Sequence, residues 1–342
     1  MAIRFMDSFD HYTATADILG KWTTVAGTSP TIVAAAGRRS TASLRFPSAL
    51  ASTASKTIDS QQTWIIGFAI NTSVIPSTAR TLVSVYDSGT LHMSLVLNTD
   101  GTISTVRNVT TIDTTAAVLT AAGYSHLEWK IKIDDTVGTS EIRLNGVAIS
   151  NISGQDTRNG ANATANQIRL GSASTHTGTV DIDDFYILDS SGSAPVNTFL
   201  GDSRVDCFLP SGNGNSSQLL GSDADSTNNY LLVDEPAENG NTDYVGSATA
   251  AQKDTYAIAD MSHNPSLIYG VQNNMWAEKD DAGTRTVCGV TRSNGADYDG
   301  TTQALSTTYA DLMAIVTNNP DTSTAWTQTT FNAAEFGIKV VA

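Results

Sequence analysis

The strongest constraint in this chain is a period of two. Residues 126–133 read His-Leu-Glu-Trp-Lys-Ile-Lys-Ile. Leu127, Trp129, Ile131 and Ile133 fall on one side of an extended backbone, and Glu128, Lys130 and Lys132 on the side expected to meet water. Side chains alternate between the faces of a strand, so this segment reads as a half-buried strand. Trp64, Ile66, Phe68 and Ile70 repeat the pattern, as do Leu91, Met93, Leu95 and Leu97. The corners agree. Leu144-Asn145-Gly146-Val147 is an Asn-Gly hairpin signal, and Asn98–Gly101 joins strand 91–97 to strand 102–107. Lys279–Thr284 is a further turn. Tyr230–Val233 reads as a strand, and 307–316 as a strand in preference to a short helix. Short strands with close turns predict antiparallel sandwiches or jelly rolls.

A chain of 342 residues is long enough for two cores. The small, polar stretch Asp189-Ser-Ser-Gly-Ser-Ala-Pro195 follows an apolar strand at 179–188 and precedes an expected new strand, Ser203–Phe208. The boundary is placed at 189–201, giving a first domain of 1–190 and a second of 200–342. The predicted fold is all-β: two antiparallel β-sandwich, jelly-roll-like domains in tandem.

Acidic residues number 34 against 19 basic, a net charge of −15, with no basic stripe. Such a chain repels phosphate backbones, so nucleic acid is not an expected partner. The same acidity also serves solubility. No apolar run reaches the ~18 residues of a membrane-spanning helix, so no membrane insertion is expected. The opening Met1–Asp7 reads as a first strand and not as a secretion signal, which predicts folding in the cytoplasm.

Several segments carry a family resemblance. They are Asp7-Ser-Phe-Asp10 after an opening strand, the aromatic strand Trp64–Asn71, and the pair 126–133 and 141–147. The closing strand Val180-Asp-Ile-Asp-Asp-Phe-Tyr-Ile-Leu-Asp189 completes the set. Together they resemble the concanavalin A-like, or laminin-G-like, jelly roll over most of residues 1–190. The whole chain is also similar to structural proteins of tailed phages. That resemblance rests on the opening Arg4-Phe-Met-Asp-Ser-Phe-Asp-His-Tyr12, on Gly201-Asp-Ser-Arg-Val-Asp206, on Asn229–Glu235 and Asp243–Val245, and on Ala325–Gly337. It implies a virion component, assembled in the host cytoplasm, that docks as a homo-oligomer on capsid, collar or tail proteins. Decoration and fibre roles fall within it. The alternative it leaves open is an adhesin that binds cell-surface glycan.

The concanavalin-like fold includes glycoside hydrolases, whose acid pair lies on one strand face as Glu-x-Asp-x-x-Glu. No such motif occurs. A Gly-x-Ser-x-Gly elbow and an HExxH metal motif are also missing, so the chain is expected not to be an enzyme. Asp181, Asp183 and Asp184 cluster on the closing strand. They fit either partial calcium ligation or carboxylates that cap backbone amides and face water. No other cofactor is expected. Asp223–Asp234 imitates an EF-hand loop, but Asn228 stands where glycine is needed. Cys207 and Cys288, both on expected strands, form either a disulfide or two buried thiols. Tyr12, Trp22, Tyr124, Trp276 and Trp326 are the aromatics that a sugar-stacking shelf would draw on, whereas Trp64 and Trp129 belong to the core.

Overall fold

The structure is a computed structural model and describes residues 2–28 and 30–342. It is almost wholly β, and its sheets are antiparallel. The chain divides into two compact units, Met1–Asp206 and Cys207–Ala342.

The first unit is built from β1 (Ile3–Asp7), β2 (Thr24–Gly27), β3 (Thr31–Val33), β4 (Ser43–Phe46) and β5 (Ser52–Gln61). Next come β6 (Thr63–Thr72), β7 (Arg80–Asp87), β8 (Thr90–Leu97), β9 (Ile103–Arg107) and β10 (Thr110–Thr114). It closes with β11 (Ser125–Lys132), β12 (Gly138–Leu144), β13 (Val147–Gln155), β14 (Ala165–Ser172) and β15 (Val180–Leu188). An eight-stranded sheet runs β13-β12-β11-β6-β15-β4-β3, with β1 added on β15. A seven-stranded sheet runs β10-β9-β8-β7-β14-β5-β2.

The alternating positions build the layer between the two sheets. Trp64, Ile66, Phe68, Trp129 and Ile131 from one sheet, and Val83, Val85, Met93, Leu95 and Ile168 from the other, are all fully buried. Trp64 Nε1 donates to the Ala165 carbonyl at 3.1 Å, which ties β6 to β14 across the layer. Each such side chain contributes about 1.5–3 kcal/mol through the apolar surface it removes from water. The expected hairpin forms: Leu144 pairs with Val147, and Asn145 and Gly146 take φ of 50° and 80°. Two positive φ values in a row are what a type I′ turn needs, and Asn-Gly tolerates them.

The Asp7-Ser-Phe-Asp10 segment closes one end of this core. Asp7 is fully buried and accepts from Tyr12 Oη at 2.7 Å, Trp22 Nε1 at 2.8 Å and the Phe9 amide at 3.0 Å. Burial pushes its carboxyl pKa up. The Lys21 and His11 charges and the Tyr12 and Phe9 hydrogen bonds outweigh that and hold it below the usual value.

The second unit contains β16 (Pro210–Ser217), β17 (Leu220–Gly221), β18 (Val245–Gly246), β19 (Lys253–Ile258) and β20 (Val271–Ala277). It continues with β21 (Thr286–Ser293), β22 (Ala296–Asp299), β23 (Gln303–Ala304), β24 (Ala310–Val316), the short helix α1 (Gln328–Asn332) and β25 (Glu335–Val340). Its main sheet runs β16-β19-β25-β21-β22, with β23 on β21, and β20 and β24 form a separate ribbon. The ribbon lies on the sheet: Asn273 Nδ2 donates to the Gly337 carbonyl at 2.8 Å. Met261, Trp326, Phe331, Ala334 and Phe336 form a core cluster, joined by Phe208 and Ile258.

The structure departs from the sequence reading at particular places. Residues 203–208 form no strand, because they have no ladder partner: the residues up to Asp206 belong to the first unit, and Phe208 packs on the core of the second. Asn229–Leu232 is a 3-10 turn and not a strand, seated by Asn229 Nδ2 donating to the Leu219 carbonyl and to buried Asp254. The expected strand at 307–316 is present as β24. Glu128 does not meet water: it is fully buried, because a later segment of chain covers its face of the sheet.

Candidate functional site

The two sheets of the first unit turn very different outer faces to their surroundings. That of the eight-stranded sheet is covered at its centre, around β6 and β15. In β15 every residue is buried, on both sides. A bulge between Asp183 and Tyr186 puts Asp184 at φ 51° and swings its carboxylate beside Asp183. Across β6 the register sets His126 opposite Ala69, and Ala69 opposite Asp183. In the next row Glu128 faces Gly67, which faces Tyr186. A Cβ on Gly67 would collide with the Tyr186 ring, so the glycine makes room for the phenol to reach Glu128 Oε1.

Residues 196–206 lie over this face as a strap. The Gly201 amide donates to Glu128 Oε1 at 3.0 Å, and the Val205 amide to Asp184 Oδ1 at 2.8 Å. Asp202 pairs with Arg38, and Phe199 lies under the Arg143 guanidinium at 4.2 Å. Beneath the strap both ring nitrogens of His126 and Oε2 of Glu128 are buried without a partner. Burial lowers the His126 pKa to about 4. Asp183 is raised to about 7 by burial and by the charge of Asp184, against hydrogen bonds from the Arg38 and Asp184 amides.

The closing-strand carboxylates that the sequence offered for calcium are held by protein groups. Arg45 grips Asp181 through Nε and Nη2 at 2.6 and 2.8 Å. Arg39 reaches Asp184 at 2.7 Å, and Asp183 accepts from the Arg38 amide at 2.7 Å. The positive charge beside them is supplied by arginines. Among the described residues no group of three or more His, Cys, Asp and Glu side chains is placed to hold a metal ion.

The outer face of the seven-stranded sheet is polar, with a floor of short, buried hydroxyl residues and a few longer side chains that reach solvent. The register aligns Val106, Ser94, Ser84, Arg169, Ser55 and Thr24 in one row across β9, β8, β7, β14, β5 and β2. The next row aligns Tyr86, Gln167 and Thr57. Short hydroxyl side chains leave Arg169, Tyr86 and Gln167 standing above the sheet, each partly exposed. The Arg169 guanidinium lies 4.1 Å over the Tyr86 ring. Its Nε donates to Ser55 at 3.2 Å, Nη1 to Tyr86 Oη at 3.0 Å and Nη2 to Gln167 Oε1 at 3.3 Å. A guanidinium carries five N–H donors, so each terminal nitrogen keeps one for a guest. Three neighbours fix the group in place before any ligand arrives, which lowers the ordering cost of binding. Chemically, the face offers a fixed cation, hydroxyls that donate and accept, and a planar amide.

The aromatics named from sequence fall into two groups. Tyr12, Trp22 and Trp326 are buried, so they are corrected from sugar shelf to core. The first two spend their polar atoms on Asp7, and Trp326 Nε1 donates to the Val316 carbonyl. Tyr124 is half-buried and donates to the Ala36 carbonyl at 2.8 Å. Trp276 is partly exposed. The two cysteines are not bridged; Cys288 is buried on β21, and Cys207 is exposed and outside any strand. Tyr86, Gln167 and Arg169, which stand on β7 and β14 and not in loops, are not among the residues named from sequence. Their signal is the polar half of the alternation in Gln167-Ile-Arg169-Leu and Ser84-Val-Tyr86.

No family model matches the chain, and no curated protein matches it. Solved structures do. The endo-β-1,4-glucuronan lyase of Trichoderma reesei is 13% identical, with a TM-score of 0.41, over 50% of this chain and 92% of the lyase. The alginate lyase Aly36B is 8% identical, with a TM-score of 0.41, over 55% of this chain and 96% of its own. A sialidase is 10% identical, with a TM-score of 0.42, over 56% of this chain and 19% of its own. The expectation that the chain is not an enzyme is corrected here, since the structures it resembles are enzymes. That expectation stood on a few absent motifs, and each of those motifs belongs to one kind of chemistry.

Proposed function

We propose that the first unit binds glycan through the outer face of its seven-stranded sheet, and that the sugar it reads carries a carboxylate. The observation that carries this reading is the partly exposed Arg169 guanidinium, braced by Ser55, Tyr86 and Gln167 above a floor of buried serines. A braced guanidinium matches a planar carboxylate with two parallel hydrogen bonds. The exposed Thr24 and Thr57 at the ends of these rows suit the hydroxyls of neighbouring sugars. The overall charge of −15 opposes an anionic guest at long range. Screening confines that repulsion to about 8 Å at physiological salt, so the contact charge decides.

Titration calorimetry with acidic and neutral oligosaccharides tests the reading. Arg169→Ala is expected to weaken acidic-glycan binding about tenfold or more, and Arg169→Lys to restore only part of it, because an ammonium lacks the fork. Wild-type protein that binds no acidic glycan would end the reading.

The resemblance to tailed-phage structural proteins supports placing this surface on a virion, docked on other virion proteins. Mass spectrometry of purified particles tests that placement, and absence of the chain from them would remove it.

A further inference from the structure

We infer that the outer face of the β20–β24 ribbon is a second glycan site, one that takes neutral pyranose sugars against the Trp276–Tyr309 pair. The ribbon has two unlike sides. Asn273 and Met275 point toward the main sheet: Asn273 donates to the Gly337 carbonyl, and Met275 is 7% exposed. Alternation therefore turns Gln272, Asn274 and Trp276 outward. On β24 the residues opposite them are Ile315, Met313 and Asp311. The outward strip thus combines amides, an aromatic ring and aliphatic side chains.

At one end of this strip the Trp276 and Tyr309 rings lie parallel within 4°, with centroids 5.7 Å apart. Both are partly exposed, and Asn274 beside them is exposed. Tyr309 Oη donates to Asn241 Oδ1 at 2.9 Å, which fixes the phenol, and Gln272 Nε2 donates to Asn274 Oδ1 at 2.8 Å. Tyr244, 45% exposed, is a further aromatic of this unit. The arrangement has the parts that sugar recognition needs: an apolar plane for ring C–H groups, and oriented amides for the hydroxyls at its edge.

The surrounding charge selects the kind of sugar. Asp311 stands across the register from Trp276, and Glu278 follows Trp276 by two residues, just past the end of β20. Glu278 also acts electrostatically on the Tyr309 phenol, whose pKa burial already raises. Two carboxylates beside the rings repel a carboxylated guest, so the ribbon takes neutral rings while Arg169 takes acidic ones. The ribbon site lies in the other unit and does not depend on the Arg169 site.

Full-length protein is titrated with cello-, malto- and chito-oligosaccharides. Binding of at least one series is expected, weakened about tenfold by Trp276→Ala and by Tyr309→Ala and largely kept by Trp276→Phe. Asn274→Ala, at an exposed position, is the check against misfolding and is expected to weaken binding while leaving Tm unchanged. Arg169→Ala is expected to keep neutral-sugar binding intact. The inference is overturned if wild type binds none of these sugars at millimolar concentration, if the Trp276→Ala and Asn274→Ala variants bind as wild type does, or if Arg169→Ala abolishes neutral binding. Wild-type protein that binds neutral but no acidic oligosaccharides would sink the earlier reading and leave this one standing.

Discussion

His126 shows how much a single covered side chain governs. Its ring is fully buried with neither nitrogen bonded, and burial holds its pKa near 4 against an ordinary 6.5. The unfolded chain therefore takes up a proton below about pH 6.5 that the folded chain refuses until about pH 4. The stability tied to the neutral ring is present above that window and is lost as pH falls through it. Replacing His126 with Phe, a ring with no nitrogen to leave unbonded, is expected to raise Tm more at pH 5 than at pH 7.5. The difference corresponds to roughly 2 kcal/mol, measured by thermal unfolding at both pH values. Equal shifts at the two values would refute the assignment. Asp183, held near 7, tilts stability the opposite way, losing its contribution as pH rises through that value. Comparing each variant with wild type at the same pH cancels that slope. Gly67 sets a steric limit in the next row. Gly67→Ala is expected to cost about 1–3 kcal/mol, because the added methyl displaces a Tyr186 ring that is packed and bonded to Glu128. Denaturant unfolding measures it, and an unchanged midpoint would show that the ring moves aside freely.

Among elements, the strap at 196–206 is the one whose role was hidden. Strands β6, β8, β11 and β15 were legible because alternation repeats along them, and the Asn145-Gly146 corner because few other pairs accept those dihedrals. The strap has no period. Its composition is that of a linker, and what fixes it is a pair of amides meeting carboxylates 21 and 73 residues away in sequence. For the same reason Glu128 read as a solvent-facing residue: alternation reveals which side of a strand a residue takes, but not whether another segment covers that side. Arg169, Tyr86 and Gln167 were visible only as polar positions, and their convergence needed the register of three strands. The strap's anchorage is testable. Glu128→Ala should speed amide hydrogen exchange across residues 196–206 at least about tenfold, by removing the acceptor of Gly201. Glu128→Gln, which keeps one oxygen acceptor, should change it much less. Equal exchange in both variants would mean that the strap is held by its apolar contacts alone.

At the scale of the whole molecule, the break in the chain falls after Asp206, beyond the polar stretch at 189–201. Residues up to 206 carry the cover for the first unit's own sheet. A fragment of residues 1–206 is expected to fold cooperatively on its own. One ending at 190 should be less stable by about 2–4 kcal/mol, since Val196 and Leu200 no longer cover the sheet and Glu128 loses a donor. Chemical denaturation of the two fragments decides between them, and equal stability would mean that the strap contributes nothing to the unit.

The contrast between the strapped and the unstrapped side of the first unit has a geometric outcome. A module with one broad side roofed by its own chain can be read from one direction only. Copies fixed side by side on a support would display their guanidinium rows only when all are mounted roof-down. A copy mounted the other way up would be present but silent, so orientation, as much as number, would determine how strongly such an array grips.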